Sequence, residues 1–183
     1  MNMTVKLNTQ RGAMLIEVLV AMLLSAVALL ALASANAAAL RYTKMSQYRT
    51  LATLLATDIG ERLRANKAGF AARAYDFSAS FAAQSAAPSL PAQLCTSTGS
   101  VCTASDIAAL DLAQWRTQAR YVLPQGAVFL LTQADAVAAD VWLAWRDPLL
   151  AGPDEAPALS TECPAGLAAT EAGIRCSYFR VNL

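Results

Sequence analysis

Arg11-Gly12-Ala13-Met14-Leu15-Ile16-Glu17-Val18-Leu19 marks an abrupt change in the chain. Ahead of it is a short hydrophilic stretch with Lys6; behind it, Val18 to Leu40 runs for 23 residues without a charge. As a helix rising about 1.5 Å per residue, that run reaches about 35 Å, enough to cross a hydrocarbon core of about 30 Å. Leucine, alanine, valine and methionine fill it, all compatible with helix in lipid, while Ser25, Ser34 and Asn36 are polar enough to contact neighbouring helices. The composition agrees: 56% of the 183 residues are hydrophobic and 15% charged, too apolar for a simple soluble domain.

Lys6 and Arg11 precede the span, which the positive-inside tendency would keep in the cytoplasm, with the remainder of the chain outside. Arg41 and Lys44 follow the span directly and weaken that asymmetry. A conventional secretory signal is the competing assignment, since Ala31 to Ala39 offers small residues for a signal peptidase. Its apolar core would be about 7 to 15 residues, however, and this run is longer.

Glu17 stands at the start of the apolar segment. A carboxylate at the centre of a membrane helix costs on the order of 2.5 to 3.5 kcal/mol, and less toward its end. One explanation is that Glu17 sits at the headgroup boundary near the helix N-terminus, where the helix dipole favours negative charge. Cleavage after Gly12 supplies another: the new amine on Ala13 of a neighbouring helix could pair with Glu17. At about 4 Å and an effective dielectric of about 20, that pair is worth roughly 4 kcal/mol before desolvation, enough to select a register between helices.

The chain has no histidine, which excludes His-dependent triads, imidazole metal ligands and the usual switch near neutral pH. A net charge of +1 provides no basic field for nucleic acid, so no nucleic-acid partner is expected. No nucleophile, base and oxyanion constellation is visible, so neither catalysis nor a cofactor is expected. Cys95, Cys102, Cys163 and Cys176 all lie beyond the apolar segment, where an exported domain meets an oxidising compartment. Three pairings are open to four cysteines. The most local, Cys95 with Cys102 and Cys163 with Cys176, would staple each long loop at its base and contribute about 2 to 4 kcal/mol apiece. Zinc is the rival use, but six and twelve intervening residues suit ribbon-type sites poorly.

Beyond the span, Arg41 to Asn66 reads as a continuation of the helix, with Leu51, Leu54, Leu55, Ile59 and Leu63 lining one face and Asn66 as its stop. Asp58, Glu61, Arg62 and Arg64 read as solvated pairs worth a few tenths of a kcal/mol. Lys67 to Leu94, rich in Ala and Ser, reads as an irregular surface segment pinned to the head by Phe70, Tyr75, Phe77 and Phe81. Thr103 or Ser105 can cap a second helix running to about Tyr121, stopped by Pro124 and Gly126. Ala127 to Gln133, Ala139 to Arg146 and Gly173 to Leu183 read as antiparallel strands, with Trp142 and Trp145 in the core or on a sheet face. Asp147 to Ala172, holding Pro148, Pro153, Pro157 and Pro164, should be extended, exposed and partner-facing.

The segment around Gly12 resembles the class III signal of type IV prepilins: a hydrophilic leader ending in glycine, a hydrophobic residue, and Glu at the fifth position after it. Most members carry Phe at the first of those positions, where this chain has Ala13. Leu15-Ile16-Glu17-Val18-Leu19-Val20-Ala21, Thr57 to Asn66, Cys102 to Ala108, Asp111 to Arg116 and Arg175-Cys176 are similar to the minor pilins of the type IV pilus modification protein PilV family, and the likeness lapses from Lys67 to Leu94.

The resemblance implies an α+β lollipop: a long helix packed on a head that holds a second helix and a small antiparallel sheet. It divides the chain into a cleaved leader at 1–12, a membrane and filament-core helix at 13–40, an amphipathic half of that helix at 41–66, and a periplasmic head at 67–183. Prepilin peptidase would cut after Gly12 and methylate Ala13. The subunit would be single-pass in the inner membrane, then part of a surface pilus. Its partners would be other minor pilins, the major pilin, the inner-membrane pilus assembly machinery and a tip adhesin. A minor pseudopilin of a type II secretion system carries an indistinguishable signal and is the alternative.

Overall fold

Helix α1 runs from Ala13 to Ala65. The computed structural model describes residues 13–97, 99–147, 162–168 and 173–183, with Ala13, Met14 and Ala168 described in backbone alone. The leader with Gly12, and the Pro148, Pro153 and Pro157 part of the loop expected to be extended, lie outside the described residues. Two units are distinguished, one ending at Lys44 and the other running from Met45 to Leu183. α1 contributes residues to both.

In the first unit every described side chain from Leu15 to Lys44 is exposed. The most apolar 18-residue window of α1 has a mean hydropathy of 2.7 and buries none of its residues, so this is one helix long and apolar enough to cross a membrane. Ser25 donates its hydroxyl to the Ala21 carbonyl at 2.8 Å and Ser34 donates to that of Ala31 at 2.8 Å. Both hydroxyls are therefore satisfied inside the helix, and neither depends on the interhelical contact expected of it.

The second unit is α+β. After α1 come α2 (Lys67–Ala71), α3 (Ala104–Val122), β1 (Ala127–Thr132), β2 (Ala138–Arg146), α4 (Ala165–Ala168) and β3 (Ile174–Asn182). The three strands form one antiparallel sheet in the order β1-β2-β3. The strand expectations thus hold to within a residue or two, because alternation in short apolar runs is a strong signal. Thr103 caps α3: its hydroxyl accepts from the Asp106 N–H at 3.2 Å while the Asp106 carboxylate accepts from the Thr103 N–H at 2.9 Å. Such a reciprocal cap contributes about 1 kcal/mol and fixes where the helix begins.

One sheet face packs on α1 and α3. Ala52, Leu55, Ala56, Ile59 and Leu63 from α1 meet Trp115 and Ala119 from α3 and Val128, Leu130, Val141, Leu143 and Trp145 from the sheet. Each large apolar side chain buried this way contributes about 1.5 to 3 kcal/mol. Trp115 is further tied by its indole N–H, which donates to the Leu55 carbonyl at 2.9 Å. Leu54 departs from expectation: it is 61% exposed. A residue adjacent to Leu55 points about 100° round the helix, and that rotation carries Leu54 off the buried stripe.

The opposite sheet face is half covered. Phe81, Leu167 and Ile174 close over Ala127, Phe129, Ala144 and Cys176, and Trp142 lies edge-on to Phe129 with ring centroids 5.6 Å apart. Trp145 therefore belongs to the core and Trp142 to a sheet face. The cover corrects one expectation, since residues 162–168 were to be extended and exposed. They instead hold the turn α4 and a fully buried Leu167, whose carbonyl accepts from the Phe81 N–H at 2.8 Å.

Lys67 to Leu94 is also corrected in part. It begins as α2, capped by Asn66, and buries Phe70, Tyr75 and Phe81, so its aromatics do pin it to the head as expected. Beyond that, it seals the outer edge of β1. Phe77 and Leu130 exchange two backbone hydrogen bonds, each 2.8 Å. The Gln84 amide donates to the Val128 carbonyl at 2.9 Å and accepts from the Val128 N–H at 3.0 Å, standing in for a strand. Asp76 accepts from the Thr132 N–H at 2.7 Å and Arg73 donates to the Thr132 carbonyl at 2.7 Å. Every second residue of β1 is thereby satisfied, as an edge shielded from other chains requires.

Candidate functional site

The sequence singles out two kinds of residue: those at the start of α1 and the cysteines. Ala13 is the first residue of α1, and Glu17 follows one helical turn later. The Glu17 side chain is exposed and has no hydrogen-bond or ion-pair partner among the described residues. Among the described residues it therefore stands as an uncompensated carboxylate, on a helix that is otherwise uncharged as far as Leu40. In lipid such a group favours any arrangement that delivers a cation to it, because burial of an unpaired charge costs several kcal/mol or more.

Cys95 is bonded to Cys102 with Cα atoms 6.0 Å apart, and Cys163 to Cys176 with Cα atoms 5.1 Å apart. The first closes the loop leading into α3. The second anchors the α4 segment to β3, which is how Leu167 reaches the covered sheet face. With no free cysteine in the chain, no thiolate is left to serve as a metal ligand.

The charged group at the end of α1 differs from the solvated pairs expected of it. Arg62 donates through Nε to Asp58 at 3.1 Å, and through Nη1 to Asp111 at 2.9 Å and Gln114 at 3.1 Å. Asp111 and Gln114 are on α3, so Arg62 bridges two helices. The other Asp111 oxygen accepts from the Tyr75 hydroxyl at 2.7 Å, and that hydroxyl accepts from the Asn66 amide at 3.1 Å. Asn66 also donates to the Ala104 carbonyl at 2.7 Å and accepts from the Gly69 N–H at 3.1 Å.

Burial, followed by the hydrogen bond to Asp111, pushes the Tyr75 phenol well above its ordinary range. Burial works against the Arg62 charge, but the bond to Asp111 and the Asp58 charge outweigh it and raise its pKa. The network thus holds a neutral phenol and a fixed cation, which suits a structural clamp. Glu61 and Arg64 do form the local pair expected, at 2.7 Å on an exposed face.

Sequence patterning did not reveal Asp111 and Gln114 as Arg62 partners, since 49 and 52 residues separate Arg62 from these α3 acceptors, nor Tyr75 as a partner of Asp111. One hint was available: Asp111 and Gln114 are three apart and share a helix face.

Comparison of the chain with protein families, with curated proteins and with solved structures gives no match.

Proposed function

We propose that this chain is a minor pilin: a structural subunit that prepilin peptidase cleaves after Gly12 and that helps prime type IV pilus assembly at the filament tip. The observation that carries the proposal is Glu17, an uncompensated carboxylate one turn into an apolar helix that opens at Ala13. Cleavage before Ala13 places a cation at the very end of each neighbouring helix, which is what the carboxylate lacks. The α+β head supports the same reading, because the later part of α1 packs on a three-stranded sheet through Leu55, Ile59 and Leu63. The two disulfides fit a head that matures outside the cytoplasm.

In this proposal the subunit waits in the inner membrane with its head in the periplasm. It then joins other minor pilins to start the filament and to position an adhesin. Two measurements test it. Mass spectrometry of the mature protein is expected to find Ala13 first, with or without a methyl group; a start near Ala37 would mean ordinary signal cleavage. Deletion of the gene, followed by electron microscopy of surface filaments, is expected to reduce pili. Intact pili with lost secretion would transfer the chain to the minor pseudopilins.

A further inference from the structure

We infer that the apolar stretch of α1 pairs in the membrane with a second copy of this chain, side by side and parallel, through reciprocal hydrogen bonds between the two Asn36 amides. The pairing rests on α1 spanning a bilayer and stands whether or not the chain is a pilin.

Three polar side chains interrupt the charge-free run: Ser25, Ser34 and Asn36. The two serines are satisfied within the helix by the carbonyls of Ala21 and Ala31. Asn36 differs, because its side chain is exposed and its amide makes no hydrogen bond among the described residues. A hydroxyl needs only a carbonyl one turn back, whereas a primary amide carries two N–H donors and a carbonyl acceptor. Inside a helix every nearby N–H is already committed to the ladder, so the amide carbonyl finds no donor there.

Asn66, just past the end of the same helix, shows what the chain supplies when an amide is enclosed. It donates to the Tyr75 hydroxyl and the Ala104 carbonyl and accepts from the Gly69 N–H. Asn36 has none of these. The run from Val18 to Leu40 is centred on Leu29, and Asn36 lies about 10 Å along the axis from it, inside the half-thickness of about 15 Å of a hydrocarbon core. At that depth lipid offers neither donor nor acceptor, so the favoured arrangement is one in which another helix supplies both.

A second copy meets that need by symmetry. Copies inserted with one topology hold Asn36 at one depth, and two like amides facing across a two-fold axis each donate to the other's carbonyl. The residues around Asn36 fit the same geometry. Met22, Leu29, Asn36 and Thr43 recur every seven residues, and Ser25, Leu32 and Ala39 each follow three residues after one of them. At about 100° per residue all lie within about 60° of the Asn36 direction, and all are exposed in the single chain. This is the seam of a two-stranded parallel coil, in which a single asparagine selects the pair and its register, because a slip of seven residues separates the amides. Glu17 is about 28 Å away along the axis and about 100° round it, so the seam is distinct from the face that carries the carboxylate.

Sedimentation equilibrium of the full chain in density-matched detergent micelles reads the mass of the protein alone. The parent is expected to be a reversible dimer governed by the protein-to-detergent ratio. Asn36→Leu should raise its dissociation constant by about tenfold or more, and Asn36→Gln, which keeps an amide, by less than about threefold. Ser34→Ala and Val27→Ala, on the opposite side of the helix, should change it by less than about twofold. Tryptophan emission should be the same in every variant, since all three tryptophans lie in the head. In phosphatidylcholine vesicles washed with alkaline carbonate, the parent should stay with the lipid. A chain that washes off would remove the span and the pairing together. A chain that stays with the lipid but sediments as a monomer, as more than two copies, or as a dimer that Asn36→Leu leaves unchanged would overturn the pairing and leave the span standing.

Discussion

The two stretches of α1 obey opposite rules. From Leu15 to Lys44 the helix exposes every described side chain, Leu30 to 71% and Leu40 to 69%. From Met45 to Ala65 exposure follows the helical period, with Ala52, Leu55, Ala56, Ile59 and Leu63 buried and Thr53, Thr57, Glu61 and Arg64 exposed. The later stretch finds its apolar partner in its own chain. The earlier one leaves its apolar side chains exposed among the described residues, as suits a helix that could lie in lipid or against other helices. Both share one device: Ser25, Ser34, Thr43, Thr50, Thr53 and Thr57 all donate to carbonyls about one turn back. In the apolar stretch it satisfies hydroxyls that a hydrocarbon surrounding could not; in the amphipathic one it satisfies hydroxyls on the exposed face.

Paired truncations test the contrast most strongly. All three tryptophans lie in the head, so their emission follows its unfolding in denaturant for the full chain in micelles. Ile59→Ala is expected to lower head stability by about 2 to 5 kcal/mol, and Leu30→Ala by less than about 0.5 kcal/mol. A comparable loss from both would mean that the two stretches unfold as one.

Replacing both Cys163 and Cys176 by Ser should cost about 2 to 4 kcal/mol in the same assay, and should free the α4 segment to limited proteolysis. Unchanged protease resistance would show that the Leu167 contact suffices without the bond.

Glu17→Ala should reduce the subunit recovered in sheared surface filaments by about tenfold, equivalent to about 1.4 kcal/mol, with tryptophan emission unaltered. Normal recovery would remove the pairing of Glu17 with a neighbouring amine.

The smallest effect is expected at Tyr75. Tyr75→Phe removes the hydrogen bond donated to Asp111 and the one accepted from Asn66, and should cost about 1 kcal/mol near neutral pH. Because burial raises the folded-state pKa above the ordinary 10.0, the contribution of Tyr75 is fully present below that pH and is lost as pH rises toward the folded value. The Phe variant should therefore show a flatter alkaline limb than the parent. An identical limb would place the phenol in water.

Much of the fold was legible because its signals are local. A charge-free run, apolar residues at helical spacing, a Thr103 to Asp106 cap and three alternating strands each announce themselves within about ten residues. Leu54 was misplaced by the same counting, since being near Leu51 and Leu55 in sequence does not put a residue on their face. What stayed hidden depends on distant partners. Nothing in the Ala- and Ser-rich run to Leu94 discloses that Gln84 will bond Val128, 44 residues on, or that Phe77 will bridge to Leu130. Arg62 looked local because Asp58 is one turn away, whereas Asp111 reaches it only once α3 has packed.

The Gln84 seal also bears on the order in which the head is built. β1 and β2 are joined by only five residues, Gln133 to Val137, so their hairpin closes quickly. The seal must first close a chain segment of more than forty residues, at a higher entropic cost and a slower rate. During that interval the Val128 and Leu130 amides are open, and a nascent head can pair with its neighbour along β1. Crowding of newly made chains is thus expected to be hazardous before the seal forms and tolerable afterwards, which makes Gln84 a gatekeeper of refolding yield as well as a residue of the finished structure.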